Sequence, residues 1–194
     1  MKLSIIKYNA GNVQSVLFAL QRIGVEAIVT DNVDEIRSSD RVIFPGVGEA
    51  SSAMNYLREN KLDTLIKSLK QPVLGICLGM QLMCRRSEEN STDCLGIFDL
   101  EVRKFSENNL KVPQIGWNNI FSLKSPLLKD VSEKEYMYFV HSYYVEKCAE
   151  SIALTEYGLE YSSAIRKNNF YAVQFHPEKS GAAGQKILEN FIKL

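Results

Sequence analysis

The sequence predicts an α/β fold of three layers: a mostly parallel central sheet, flanking helices, and an antiparallel sheet in the second half of the chain. Three observations lead there. Residues 3–44 alternate short apolar runs with stretches of helical period, the rhythm of right-handed βαβ crossovers. An apolar run at 73–76, ending in Cys77, switches at once to helical spacing. Beyond Glu89 the chain changes to short strand-like segments without intervening helices, a pattern that favours antiparallel pairing.

In chain order, residues 3–7 read as a first strand and 8–12 as a tight loop. Val13, Val16, Leu17, Leu20 and Ile23 recur at helical spacing, and Gly24 supplies the stop. Residues 25–30 form a second strand, 32–38 a short helix with Asp34 and Glu35 near its start, and 41–44 a third strand closed by Pro45. The loop Pro45-Gly46-Val47-Gly48 follows, its glycines suited to close backbone approach. Helical patterns cover 49–59 and 62–69, then Pro72 opens the strand before Cys77. Residues 90–95 look like a surface loop. Residues 98–105 and 110–114 read as strands around the turn Ser106-Glu107-Asn108-Asn109. Residues 115–119 read as irregular. Residues 136–145, 151–156, 162–166 and 170–175 read as strands, and 183–192 as a closing helix with Ile187, Leu188 and Phe191 on one face.

The 194 residues suffice for one large domain, and without a linker or repeat a single domain over 1–194 is expected. A net charge of +0 leaves no basic footprint for nucleic acid. No apolar run approaches the ~20 residues that cross a bilayer. Met1-Lys2 leads straight into an amphipathic pattern, so neither a signal peptide nor a membrane association is expected. None of the 4 cysteines forms a C-x-x-C pair. A reduced, cytoplasmic compartment follows, with no metal site and no cofactor.

The chemistry concentrates in two stretches. Cys77 falls on a strand-to-helix corner, with Gly75 and Gly79 at the spacing of a nucleophile elbow. Such a corner strains the backbone and exposes the side chain, and the helix N-terminus favours a thiolate. A buried structural cysteine is the commoner fate of a free thiol; the flanking glycines favour the nucleophile. The second stretch is Gln174-Phe175-His176-Pro177-Glu178-Lys179-Ser180. Pro177 holds the chain extended, so His176 and Glu178, two apart, face together. A thiol with an oriented imidazole is the arrangement for acyl transfer. His141, the competing base, has no acid two residues away and reads as a wall of the site. In an open parallel sheet, ligands sit beyond the carboxyl ends of the strands, so the 45–48 loop and Cys77 share one crevice.

Several motifs together resemble the class I, triad-type glutamine amidotransferases, and among them the glutaminase subunits of imidazole glycerol phosphate synthases. The likeness runs through Gly11-Asn12, Pro45-Gly46-Val47-Gly48, Gly75-Ile76-Cys77-Leu78-Gly79-Met80-Gln81, Gly116-Trp117-Asn118, Tyr138-Phe139-Val140-His141-Ser142-Tyr143 and His176-Pro177-Glu178. It implies hydrolysis of L-glutamine to glutamate and ammonia, with Cys77 as nucleophile, His176 as acid and base, and Glu178 orienting His176. It implies oxyanion donors at the Leu78 and Val47 N–H groups, and substrate contacts at Gly48, Gln81, Glu89, Ser142 and Tyr143. It further implies a heterodimer with a barrel-shaped cyclase subunit that receives the ammonia, through Asn12, Trp117, Tyr138 and Lys179. Lys7-Tyr8-Asn9 departs from the family's usual Asp-Tyr-Gly, which leaves open a related glutaminase that feeds another synthase, for example one modifying a surface sugar. A non-catalytic regulatory partner and a cysteine peptidase of related fold are the readings from other classes.

Overall fold

The computed structural model describes residues 1–9, 12–108 and 110–194. Ala10 and Gly11 of the first loop, with the Gly11 half of Gly11-Asn12, and Asn109 of the expected turn lie outside the described residues. The chain begins β1 (Leu3–Ile6), α1 (Val13–Arg22), β2 (Ile28–Thr30), α2 (Val33–Arg37) and β3 (Arg41–Phe44). It continues with α3 (Ala50–Glu59), α4 (Leu62–Ser68), β4 (Val73–Ile76) and α5 (Leu78–Met83). The second half holds β5 (Arg86–Ser87), β6 (Thr92–Asp93), β7 (Glu101–Lys104), β8 (Gln114–Ile120) and β9 (Glu135–His141). β10 (Tyr143–Glu146), β11 (Ser151–Glu156), β12 (Glu160–Lys167), β13 (Phe170–Val173) and α6 (Gly181–Lys193) complete it.

The main sheet runs β2-β1-β3-β4-β13-β12-β10-β7-β5-β6, with β11 added on β12. From β2 to β13 every neighbouring pair is parallel. Beyond β13 the pairing turns antiparallel through β12, β10 and β7. Alternate residues of the parallel strands supply the two halves of the core. Ile6, Val42, Phe44, Val73 and Ala172 pack with Met54, Leu57, Leu65 and Ile66 of α3 and α4. Ile5, Ile43, Leu74, Ile76 and Val173 pack with Val16 and Leu20 of α1 and with Ile187, Leu188 and Phe191 of α6. A strand's period of two thus gives the three layers that the sequence predicts.

Some elements differ from the expectation. Residues 115–119 are regular strand: β8 pairs antiparallel with β9 as a separate two-stranded sheet. Residues 110–113 precede that strand and are not one themselves. The run 136–145 is two strands of different sheets, broken at Ser142. The expected loop at 90–95 contains β6, which pairs with β5. Strand period and composition cannot locate such breaks, because the change of partner is tertiary.

Candidate active site

Three parallel neighbours, β3, β4 and β13, end at the same edge of the sheet. Their register aligns Phe44 with Gly75 and Ile76 with Val173. The 45–48 loop, Cys77 and the 174–178 segment therefore leave the sheet side by side, where ligands of parallel sheets bind. The Cys77 N–H donates to the Val173 carbonyl at 2.8 Å, which ties the corner to β13.

Cys77 adopts φ 52° and ψ −109°, a conformation that non-glycine residues avoid. Strain of this kind costs about 1–3 kcal/mol and persists only where packing enforces it. Here the packing is tight: a Cβ on Gly79 would run into the Phe44 carbonyl oxygen. Beneath the loop, the buried Tyr8 hydroxyl donates to the Pro45 carbonyl at 2.6 Å.

His176 is buried behind Cys77, and its Nδ1 lies 2.7 Å from Glu178 Oε1. A carboxylate accepts, so Nδ1 carries a proton and Nε2 is the ring atom left to exchange a proton with the thiol. Among the described residues, Nε2 has no hydrogen-bond partner of proper geometry. Burial alone would lower the imidazole's proton affinity, but Cys77 and then Glu178 outweigh it and push the pKa up to about 10. The segment that carries the ring is stapled to its surroundings. The His176 N–H donates to the Tyr138 carbonyl at 2.9 Å, and the Ser180 hydroxyl donates to the His176 carbonyl at 2.6 Å. Arg22 reaches the Glu178 carbonyl at 3.4 Å.

A cavity of about 350 Å3 opens in front of Cys77. Val47, Gly48, Leu78, Gln81, Glu89, Ser142 and Tyr143 line it, with Pro113, Val140 and His141. The sequence-predicted oxyanion and substrate residues thus surround one space, while His176 and Glu178 stand behind the sulfur. The Leu78 N–H is not free: it donates to the Gly46 carbonyl at 3.2 Å. Glu89 accepts the Ala50 N–H at 2.7 Å, and its burial raises its pKa above the ordinary carboxylate value. His141 donates from Nδ1 to the Tyr143 carbonyl at 2.7 Å, and burial pushes its pKa down to about 4, so it stays neutral.

Trp117 and Tyr138 are cross-strand neighbours on the outer face of the β8–β9 ribbon, with ring centroids 6.0 Å apart. Lys179 Nζ sits 5.8 Å from the Tyr138 ring centroid. Trp117 is 56% exposed, and Ile115 and Tyr136 on the same face are equally open to solvent. Asn12 stands at the start of α1, where its Oδ1 accepts from the Ser15 hydroxyl at 2.8 Å. Sequence reasoning missed Gln174, whose side chain contacts Cys77, and Tyr8 beneath the loop. A polar residue inside an apolar strand end was the available signal for Gln174. Among the described residues, no three His, Cys, Asp or Glu side chains cluster as metal ligands, and no helix is long and apolar enough to cross a membrane.

Residues 4–194 match the family described as glutamine amidotransferase class-I, and the chain belongs to that family. Within it, the chain is similar to proteins named imidazole glycerol phosphate synthase subunit HisH. The Bacteroides fragilis protein is 56% identical and the Bacteroides thetaiotaomicron protein 54%, each over 100% of both chains. That of Haemophilus influenzae is 42% identical over 100% of this chain and 98% of its own. Among solved structures, one described as a glutamine amidotransferase superposes with a TM-score of 0.77 at 15% identity, covering 100% of this chain and 98% of its own. PurLQS from Thermotoga maritima gives 0.75 at 15% identity, covering 99% and 97%. At that identity these two support the fold alone.

Proposed function

We propose that this chain is the glutaminase subunit of an imidazole glycerol phosphate synthase. It hydrolyses L-glutamine to glutamate and ammonia and passes the ammonia to a barrel-shaped cyclase subunit, as one half of a cytoplasmic heterodimer in histidine biosynthesis. One observation carries the reading: the adjacent parallel strands β4 and β13 end side by side, one in Cys77 and the other in the segment that carries the His176–Glu178 pair, at a cavity sized for an amino acid. The identity to HisH proteins along the full length supports the choice of synthase.

Glutamine enters with its side-chain amide towards Cys77. Glu89 pairs with the α-ammonium, and Gln81, Ser142, Tyr143 and the backbone at Gly48 hold the rest. The Cys77 proton passes to His176 Nε2, and the sulfur attacks the amide carbon. Glu178 holds the resulting imidazolium in place. The tetrahedral oxyanion takes the N–H groups of Leu78 and Val47. The Leu78 donor becomes available only when the Gly46 carbonyl releases it. One missing donor of this type costs about 2.7–4 kcal/mol of barrier, so the 45–48 loop sets the resting rate. Collapse of the intermediate breaks the C–N bond, and His176 returns the proton to the departing ammonia. Water, deprotonated by His176, then cleaves the thioester and frees glutamate. The exposed Trp117 and Lys179 and the half-buried Tyr138, with Asn12, form the docking face for the cyclase; aromatic side chains are frequent binding anchors.

The test is ammonia release from glutamine with and without a purified cyclase and its bound nucleotide. Slow release alone and strong acceleration in the complex are expected. Release that the cyclase leaves unchanged overturns the reading.

A further inference from the structure

We propose that Gln174 is a further catalytic residue of this centre, its side-chain amide donating to the Cys77 sulfur and holding it as a thiolate. The proposal rests on Cys77 being the nucleophile of the glutaminase reading.

Gln174 is the first residue after β13 and is fully buried. Its Nε2 lies 3.7 Å from Cys77 Sγ, within hydrogen-bond reach for sulfur. An amide's nitrogen and oxygen are told apart by their partners, and here the partners decide. The Tyr143 carbonyl can only accept. It receives His141 Nδ1–H at 2.7 Å and Gln81 Nε2–H at 3.2 Å. The atom of Gln81 that faces it is therefore nitrogen. The same nitrogen lies 3.0 Å from the Gln174 oxygen, so that contact places oxygen towards Gln81 and leaves the Gln174 NH2 for Cys77. A backbone carbonyl thus fixes the direction of two consecutive side-chain amides, and the chain ends on the sulfur. Both Gln81 hydrogens are used inside this chain, which leaves its oxygen for the substrate.

The chemistry suits the position. When the S–H bond breaks, the proton goes to His176 Nε2 and the electron pair stays on sulfur. The Gln174 N–H bond then becomes charge-assisted and strengthens. When the pair forms the S–C bond of the thioester the contact weakens, and it is restored when water cleaves that bond. Around the sulfur stand His176 after β13, with Glu178 behind it, the Tyr8 hydroxyl after β1, and His141 and Glu89 across the cavity. Among these, Gln174 supplies an amide donor with no charge and no titration of its own.

The test is the pH dependence of Cys77 alkylation by iodoacetamide, followed by mass spectrometry of the Cys77 peptide in wild type and Gln174→Met. Methionine keeps the length and removes the donor. The expected result is an upward shift of the half-maximal pH by about one unit, the scale of a hydrogen bond to a charged group. In the complex with the cyclase, kcat for glutamine falls at least tenfold with KM nearly unchanged. If Gln174→Met fails to fold, Gln174→Leu is measured instead; it too removes the donor and shifts the half-maximal pH upward. An unshifted alkylation profile in a folded variant overturns the proposal and leaves the glutaminase reading standing. A shifted profile in a protein that releases no ammonia upholds the thiol contact and removes the glutaminase reading.

Discussion

His141 offers a direct way to weigh burial in this protein. Its ring is held neutral by burial: Nδ1–H donates to the Tyr143 carbonyl, and Nε2 faces the Gln114 side-chain amide at 3.1 Å and the Tyr161 hydroxyl at 3.2 Å. Burial pushes the folded-state pKa down to about 4, opposed by the Tyr143 contact. The unfolded chain titrates near 6.5. Between these two values the unfolded chain binds one more proton than the folded one, so stability falls as pH falls. At 1.36 kcal/mol per unit, the gap from 6.5 to about 4 amounts to about 3 kcal/mol. The measurement is urea unfolding by far-UV circular dichroism from pH 7 to pH 4, in wild type and His141→Gln. The one tryptophan, Trp117, is 56% exposed and a poor reporter of unfolding. Relative to the variant, wild type should lose about 3 kcal/mol over that range. Parallel curves for the two proteins would refute a neutral, buried His141.

Three further outcomes are expected. Gly79→Ala pushes a methyl group into the Phe44 carbonyl and forces α5 away from β3; overpacking of about 1–3 kcal/mol lowers Tm by roughly 2–12 °C in a thermal melt. Cys77→Gly relieves the φ 52° strain, so Tm rises by a few degrees, by roughly 1 kcal/mol of stability, while glutamine hydrolysis disappears. Glu178→Gln replaces the carboxylate 2.7 Å from His176 with an amide that cannot stabilise the imidazolium, and kcat of the complex falls by about 10²-fold or more with the fold intact.

The first half of the chain was legible because its signals are local. The apolar run 73–76, the glycines at 75 and 79 and the helical spacing after Cys77 predict a corner, and the structure has one at that residue with a positive φ. The parallel pairing of the first strands follows from the crossover rhythm, though their order in the sheet does not. His176 and Glu178 do face each other, but not for the expected reason: Pro177–Lys179 is a 3-10 turn and not extended chain, so the period-two argument does not apply and the turn itself brings the two side chains together. The second half was less legible. The Trp117 strand looked irregular because its apolar residues, Ile115 and Trp117, face solvent, and its regularity comes from pairing with β9. The break at Ser142, which lets one aromatic run serve two sheets and turn the cavity wall, depends on distant partners. The Gln174–Gln81–Tyr143 chain spans three separated segments, and nothing local announces it.

The most direct test of the account asks which sulfur glutamine meets. A glutamine analogue with an electrophilic side-chain carbon is incubated with the protein, and every cysteine-containing peptide is weighed. Burial keeps Cys84 protonated well above the ordinary range and pushes Cys94 up to about 12, so neither thiol competes. One adduct, on Cys77, lost in Cys77→Ala and slowed by excess glutamine, is the expected result. Label on another cysteine, or none in the presence of the cyclase, would contradict it.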